Sequence, residues 1–79
     1  MDNKMEAKIL EIMNTVLDNR TKDKLTTIST DMHLRKDIGL DSLDLAELTV
    51  RIEAEYDIDI FEDGIVNQVG EIYEKINNS

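Results

Sequence analysis

A chain of 79 residues with a net charge of −9 and no cysteine can build one domain around a single modest core; it excludes disulfides, thiolate metal sites and any sulfur nucleophile of its own. No apolar run is long enough to cross a bilayer, and the charged start around Lys4, Glu6 and Lys8 lacks the apolar stretch of a signal peptide, so one cytoplasmic unit over 1–79 is expected. The charge is uneven: seven Lys/Arg face six Asp/Glu through Lys36, and two face twelve from Asp37 onward. Such a field repels nucleic acid and anionic lipid and attracts basic partner surfaces, less strongly as salt rises. Solvated helix faces are commonly charged as well, so charge alone does not name a partner.

Proline is absent and no repeat or low-complexity tract divides the chain. Met5, Ile9, Ile12, Met13 and Val16 recur at helical spacing, which predicts an amphipathic helix over 3–18 with Asp2 or Asn3 as cap. Residues 19–41 lose the period but keep Leu25, Ile28, Met32, Leu34, Ile38 and Leu40, as a long pinned loop would, with a short helical turn near 31–35. Loops beyond about 12–15 residues are uncommon in compact domains and are often functional.

A second helix is predicted from Ser42 to Tyr56. Asp41 is its natural N-cap, and Asp44 three residues on makes a short-chain relative of the capping box. Asp57-Ile58-Asp59-Ile60 alternates like a strand but has no run to pair with, so 57–66 reads as connection with at most one helical turn at 61–66. Val69, Ile72, Tyr73 and Ile76 then mark a closing helix over 67–76, with Asn67 as cap. Gly70 inside it costs about 1 kcal/mol relative to Ala. An EF-hand loop starting at Asp57 would need Gly at its sixth position and Glu at its twelfth; the chain has Glu62 and Gln68, and no metal site is predicted.

Projected at about 100° per residue, the second helix has two apolar sides. Leu45, Leu48, Thr49, Ile52 and Tyr56 form the stripe expected to face the core. Leu43, Ala46, Val50 and Ala54 lie opposite, interleaved with Glu47 and beside Arg51. Either the loop or the 61–66 turn covers that second stripe, or it is an exposed contact surface.

Ser42 stands at the head of this helix with three readings. As a cap it is redundant beside Asp41. As a nucleophile it would need a base, and the only histidine, His33, lies nine residues upstream with no oxyanion-hole glycine pattern near the serine. As acceptor of a phosphoryl-linked group it points outward from a first turn whose free N–H groups and dipole favour an anion.

The run Gly39-Leu40-Asp41-Ser42-Leu43-Asp44, followed by Glu47-Leu48, Ile52-Glu53 and Glu55-Tyr56-Asp57, resembles the acyl carrier protein family over nearly the whole chain. The resemblance implies an all-α, small four-helix bundle with a long first loop and a short third helix, forming a single carrier domain with no catalytic activity. It implies 4′-phosphopantetheine, transferred from coenzyme A by a Mg²⁺-dependent phosphopantetheinyl transferase onto Ser42, with Asp41 as the neighbouring family aspartate. Leu43, Glu47 and Val50 would fall on the partner-recognition face, with Asp37, Asp44 and Glu53 as further acidic contacts. The implied partners of this carrier, taken as a monomer, are acyl-transfer, condensing and acyl-activating enzymes with basic docking patches. The implied role is to carry acyl thioesters in fatty acid or specialised lipid or polyketide-type biosynthesis. The chain departs from the family at Arg51, a cation where the helix is usually neutral, at Thr49 in the core stripe, and at Phe61 where proline is common. Two alternatives stay open: an aminoacyl, peptidyl or D-alanyl carrier, and an unmodified acidic helical adaptor.

Overall fold

The computed structural model describes residues 3–62, 64 and 66–78; its regular elements are all helical, with no strand among the described residues. Helix α1 spans Asn3–Asn19, a π-helical turn covers Leu34–Ile38, α2 runs Ser42–Tyr56 and α3 runs Val69–Asn77. Asn3 is the first residue of α1, and Asp2, the other candidate cap, lies outside the described residues.

The apolar face of α1 buries Ile9, Ile12, Met13, Val16 and Leu17. It meets Leu48 and Ile52 of α2 and Val69, Ile72 and Tyr73 of α3 in one core cluster. Each such aliphatic side chain contributes about 1.5–3 kcal/mol by leaving water. The two long helices run antiparallel: Lys8 approaches Glu55 at 4.0 Å near one end, and Arg20 reaches Asp41 at 3.1 Å at the other. No helix among the described residues is long and apolar enough to cross a membrane.

The long loop is pinned at both ends. Near its start, the Asn14 side chain donates to the Leu25 carbonyl at 2.9 Å and accepts from the Leu25 N–H at 2.7 Å. Farther on, the loop is stitched to the head of α3: Leu34 donates to the Asn67 carbonyl, Val69 to that of Met32 and Gly70 to that of Thr30, at 2.8, 3.0 and 2.9 Å. Ile28 and Leu34 fill the space beneath.

The helical turn expected at 31–35 forms at Leu34–Ile38 instead, because local caps set its ends. His33 Nδ1 accepts from the N–H groups of Arg35 and Lys36, both at 3.2 Å, and Gly39 closes the turn at φ +91°. That conformation strains a side-chain-bearing residue and suits glycine. Where the short third helix is expected, the N–H of Glu62 donates to the Asp59 carbonyl and that of Gly64 to Phe61, both at 3.2 Å, while Asp63 and Ile65 lie outside the described residues. The N-cap position of helix α3 is Gln68, without a side-chain capping bond, rather than Asn67, whose carbonyl accepts from the Leu34 N–H.

Candidate functional site

The head of α2 is built by the residues just before it. Gly39 turns the chain out of the π-helical turn, and Leu40, 3% exposed, anchors it in the core. Asp41 then caps the helix in extended geometry: its Oδ1 accepts from the Asp44 N–H and Asp44 Oδ2 accepts from the Asp41 N–H, each at 3.0 Å. This reciprocal pair is a capping box made with aspartate at its third position. Ser42, relieved of the capping role, is the first helical residue and is exposed.

Two cations from the end of α1 and the following loop brace this box. Arg20 donates to Asp41 and Asp44, each at 3.1 Å, and Lys22 donates to Asp44 and to the Gly39 carbonyl. The Asp44 N–H, followed by the charges of Arg20 and Lys22, holds the Asp41 carboxyl below the usual carboxylate range. The hydroxyl of Ser42 is met by Arg35, whose Nη2 lies 3.3 Å from Oγ. His33 has its Nδ1 committed to the π-helical turn, so no base is assembled on the serine through that nitrogen.

Asp44, expected among the outward acidic contacts, is corrected by the structure: its side chain is 0% exposed. Arg20, Lys22 and the Asp41 N–H satisfy it from within, and a carboxylate so enclosed is a scaffold group rather than a surface contact. The other expected contact residues reach the surface. Leu43 and Val50 are 70% and 66% exposed, the large hydrophobics that stand out on the surface, and Ala46, Glu53 and Ala54 beside them are exposed too. Among the described residues the second apolar stripe of α2 is therefore uncovered, and the loop that might have lain on it is drawn to α3. Glu47 is half-buried at the edge of the stripe. Its carboxylate accepts from Asn19 at 2.9 Å and Arg51 at 2.8 Å, and those two contacts, Asn19 foremost, lower its pKa. Asp37 is exposed, with one oxygen accepting from the His33 N–H at 2.7 Å.

Arg20, Lys22, Asn19 and Arg35 are neighbours of this helix head and face that no local pattern in α2 announces. The first three lie more than fifteen residues upstream of the serine, and Arg35 arrives through a π-helical turn that apolar periodicity does not encode. Among the described residues no cluster of three or more His, Asp or Glu is arranged to hold a metal ion.

Compared with known proteins, residues 7–72 match the family model described as a phosphopantetheine attachment site. The acyl carrier protein of Rickettsia canadensis is 43% identical over 60 residues, which cover 76% of this chain and 65% of that protein. The mitochondrial acyl carrier protein of Saccharomyces cerevisiae is 38% identical over 56 residues, covering 71% of this chain and 45% of its own. The chain thus spans under two thirds of the length of these relatives. No solved structure gives a significant match.

Proposed function

The chain belongs to the acyl carrier protein family, whose members carry a covalently attached 4′-phosphopantetheine, and on that premise we propose that Ser42 is the attachment residue and the exposed side of α2 the docking surface. The observation that carries this reading is the Ser42 hydroxyl itself: exposed at the first residue of α2, unused as a cap because Asp41 fills that place, and in contact with a cation. An anionic ester fits there, beside the positive end of the helix dipole and a guanidinium.

Attachment forms a bond from Ser42 Oγ to the phosphorus next to the pantetheine moiety of coenzyme A and breaks that phosphorus's bond to the bridging pyrophosphate oxygen. Adenosine 3′,5′-bisphosphate departs, and the hydroxyl proton passes to a base of the transferase. The group supplies the thiol that this cysteine-free chain lacks, on which cargo is held as a thioester. The protein's own residues orient and present. Asp41 and Asp44 fix the first turn, Arg20 and Lys22 hold that box to the end of α1, and Leu43 and Val50 with Glu53 on the same helix offer an apolar patch beside a carboxylate, with Asp37 exposed in the turn before it. Basic patches on a phosphopantetheinyl transferase and on acyl-transfer, condensing and acyl-activating enzymes are complementary to that surface.

The cargo of this reading is an acyl chain of fatty acid or specialised lipid or polyketide-type synthesis, and the chain performs no catalysis itself. Intact mass before and after incubation with coenzyme A, Mg²⁺ and a broad-specificity transferase tests it, with Ser42→Ala as control. One phosphopantetheine gained by the wild type and none by the variant is the expected result. No gain on a folded wild type, with the transferase active on another carrier, overturns the reading and leaves an acidic adaptor. Loading of the modified protein by an amino-acid-activating enzyme, and by no acyl-activating one, would assign it to the aminoacyl carriers instead.

A further inference from the structure

We propose that Arg35 binds the phosphodiester on Ser42, making the π-helical turn before α2 an anion-holding arm of the attachment site. The inference rests on the attachment reading above.

Three observations carry it. First, the guanidinium already touches the atom concerned, with Nη2 3.3 Å from Ser42 Oγ, and a neutral hydroxyl at that distance is a weak acceptor. Second, Arg35 has no carboxylate within ion-pair distance among the described residues, although the chain carries a net charge of −9. Lys8, Arg20, Lys22, Lys24 and Arg51 all have acidic partners. An arginine with no acidic partner among the described residues, resting on a hydroxyl in so acidic a molecule, is a cation open to an incoming anion. Third, its backbone is fixed on both sides. The Arg35 N–H donates to His33 Nδ1 at 3.2 Å, buried Leu34 precedes it, and Gly39 ends the turn. Only the side chain must be ordered when an anion arrives, which keeps the entropic cost of binding low.

The chemistry matches. A phosphodiester on Oγ places its charged non-bridging oxygens one phosphorus away from the atom that Arg35 already faces, and the planar guanidinium fork suits phosphate geometry better than an ammonium does. It also offsets the repulsion that a phosphate on Ser42 feels from the adjoining Asp41 carboxylate. Arg20 already pairs with Asp41, which leaves Arg35 to serve the serine.

The test uses the full chain, wild type and the variants Arg35→Gln, Arg35→Lys and Lys36→Gln, each modified by the transferase and verified by intact mass. The readouts are the ³¹P resonance of the attached phosphodiester and the ¹H–¹⁵N signal of the Arg35 side chain in unmodified and modified protein. Expected are a shift of the Arg35 Nε–H signal on modification, a displaced ³¹P resonance in Arg35→Gln, a smaller displacement in Arg35→Lys and none in Lys36→Gln. A ³¹P resonance identical in wild type and Arg35→Gln, with the Arg35 signal unmoved by modification, overturns the proposal, even where Arg35→Gln slows the transferase by losing a contact with the enzyme. Absence of any mass gain on the wild type overturns the attachment reading, and this one with it.

Discussion

The Arg20 guanidinium stands 3.1 Å from the carboxylate of Asp44, the one charged side chain that is fully buried among the described residues. Arg20 itself is about a third exposed, and so is Lys22, the second cation on the same carboxylate. The asymmetry decides what each deletion costs. Removing Asp44 frees two cations that already reach water, whereas removing both cations strands an anion inside the protein. Arg20→Met with Lys22→Met is therefore expected to cost about 3–5 kcal/mol of folding stability, as breaking buried pairs from the solvent-reaching side does. Asp44→Asn keeps one acceptor oxygen and turns the other into an amide donor facing donors, but leaves no buried charge, and is expected to cost less, about 1–3 kcal/mol. Urea denaturation of the three proteins gives the order, and a larger loss in Asp44→Asn would refute the inside-out account.

How much of this was legible follows from where each partner lies along the chain. The bounds of α2 were readable because the Asp41/Asp44 capping box is local, with donors and acceptors three residues apart. The inward aim of Asp44 was not, because the cations it meets are 22 and 24 residues upstream in a stretch without periodicity. Sequence left the Leu43/Val50 stripe undecided between covered and exposed. The deciding contacts are backbone bonds from Thr30, Met32 and Leu34 to the start of α3, which no side-chain pattern reports. The Ser42 position was legible from its neighbours, while the cation beside it depends on a π-helical turn whose start is set by the His33 ring.

Leu43 and Val50 form an exposed apolar pair with nothing of the described chain packed upon them. Leu43→Ala with Val50→Ala should leave the urea midpoint nearly unchanged, within about 0.5 kcal/mol, since surface truncations rarely do more. If the pair docks partner enzymes, the transferase KM should rise on the order of tenfold or more, equivalent to about 1.4 kcal/mol of lost contact. Raising salt should weaken the same step further, because the acidic rim acts through a Debye length that shrinks from about 10 Å at 0.1 M to about 3 Å at 1 M. Steady-state kinetics at two ionic strengths checks both, and an unaltered KM would exclude this face.

Gly70 is the second residue of α3, and alanine in a helix ordinarily adds up to about 1 kcal/mol of stability. The structure supplies a reason for the glycine. A β-carbon there would lie 3.0 Å from the Thr30 carbonyl oxygen and 3.2 Å from its Cβ, and the Gly70 N–H holds that same oxygen at 2.9 Å. Alanine must push away the loop strand that its own backbone binds. Gly70→Ala is accordingly expected to yield no gain in the thermal midpoint, and a loosened 28–34 segment should show as faster amide hydrogen exchange at position 70 and at Leu34. A midpoint raised by several degrees, with exchange unchanged, would show that the loop yields without cost.

The Tyr73 hydroxyl is buried without a hydrogen-bond partner among the described residues, and its pKa is pushed up to about 12, by burial first and then by the charges of Glu6 and Tyr56. A free tyrosine ionises near 10. Between about pH 10 and 12 the unfolded chain gives up a proton that the folded chain keeps, so this group's share of stability is intact below pH 10 and drains away as pH rises toward 12. Tyr73→Phe removes both the orphan hydroxyl and the titration while keeping the ring in the core. Stability at pH 7 should stay level or rise by up to about 1 kcal/mol, because an unpartnered buried hydroxyl is itself a cost. The decisive reading is the difference between variant and wild type in urea at pH 8 and pH 11. It should widen in favour of phenylalanine at the higher pH, whereas a difference independent of pH would mean that the hydroxyl ionises as freely in the folded protein as in water.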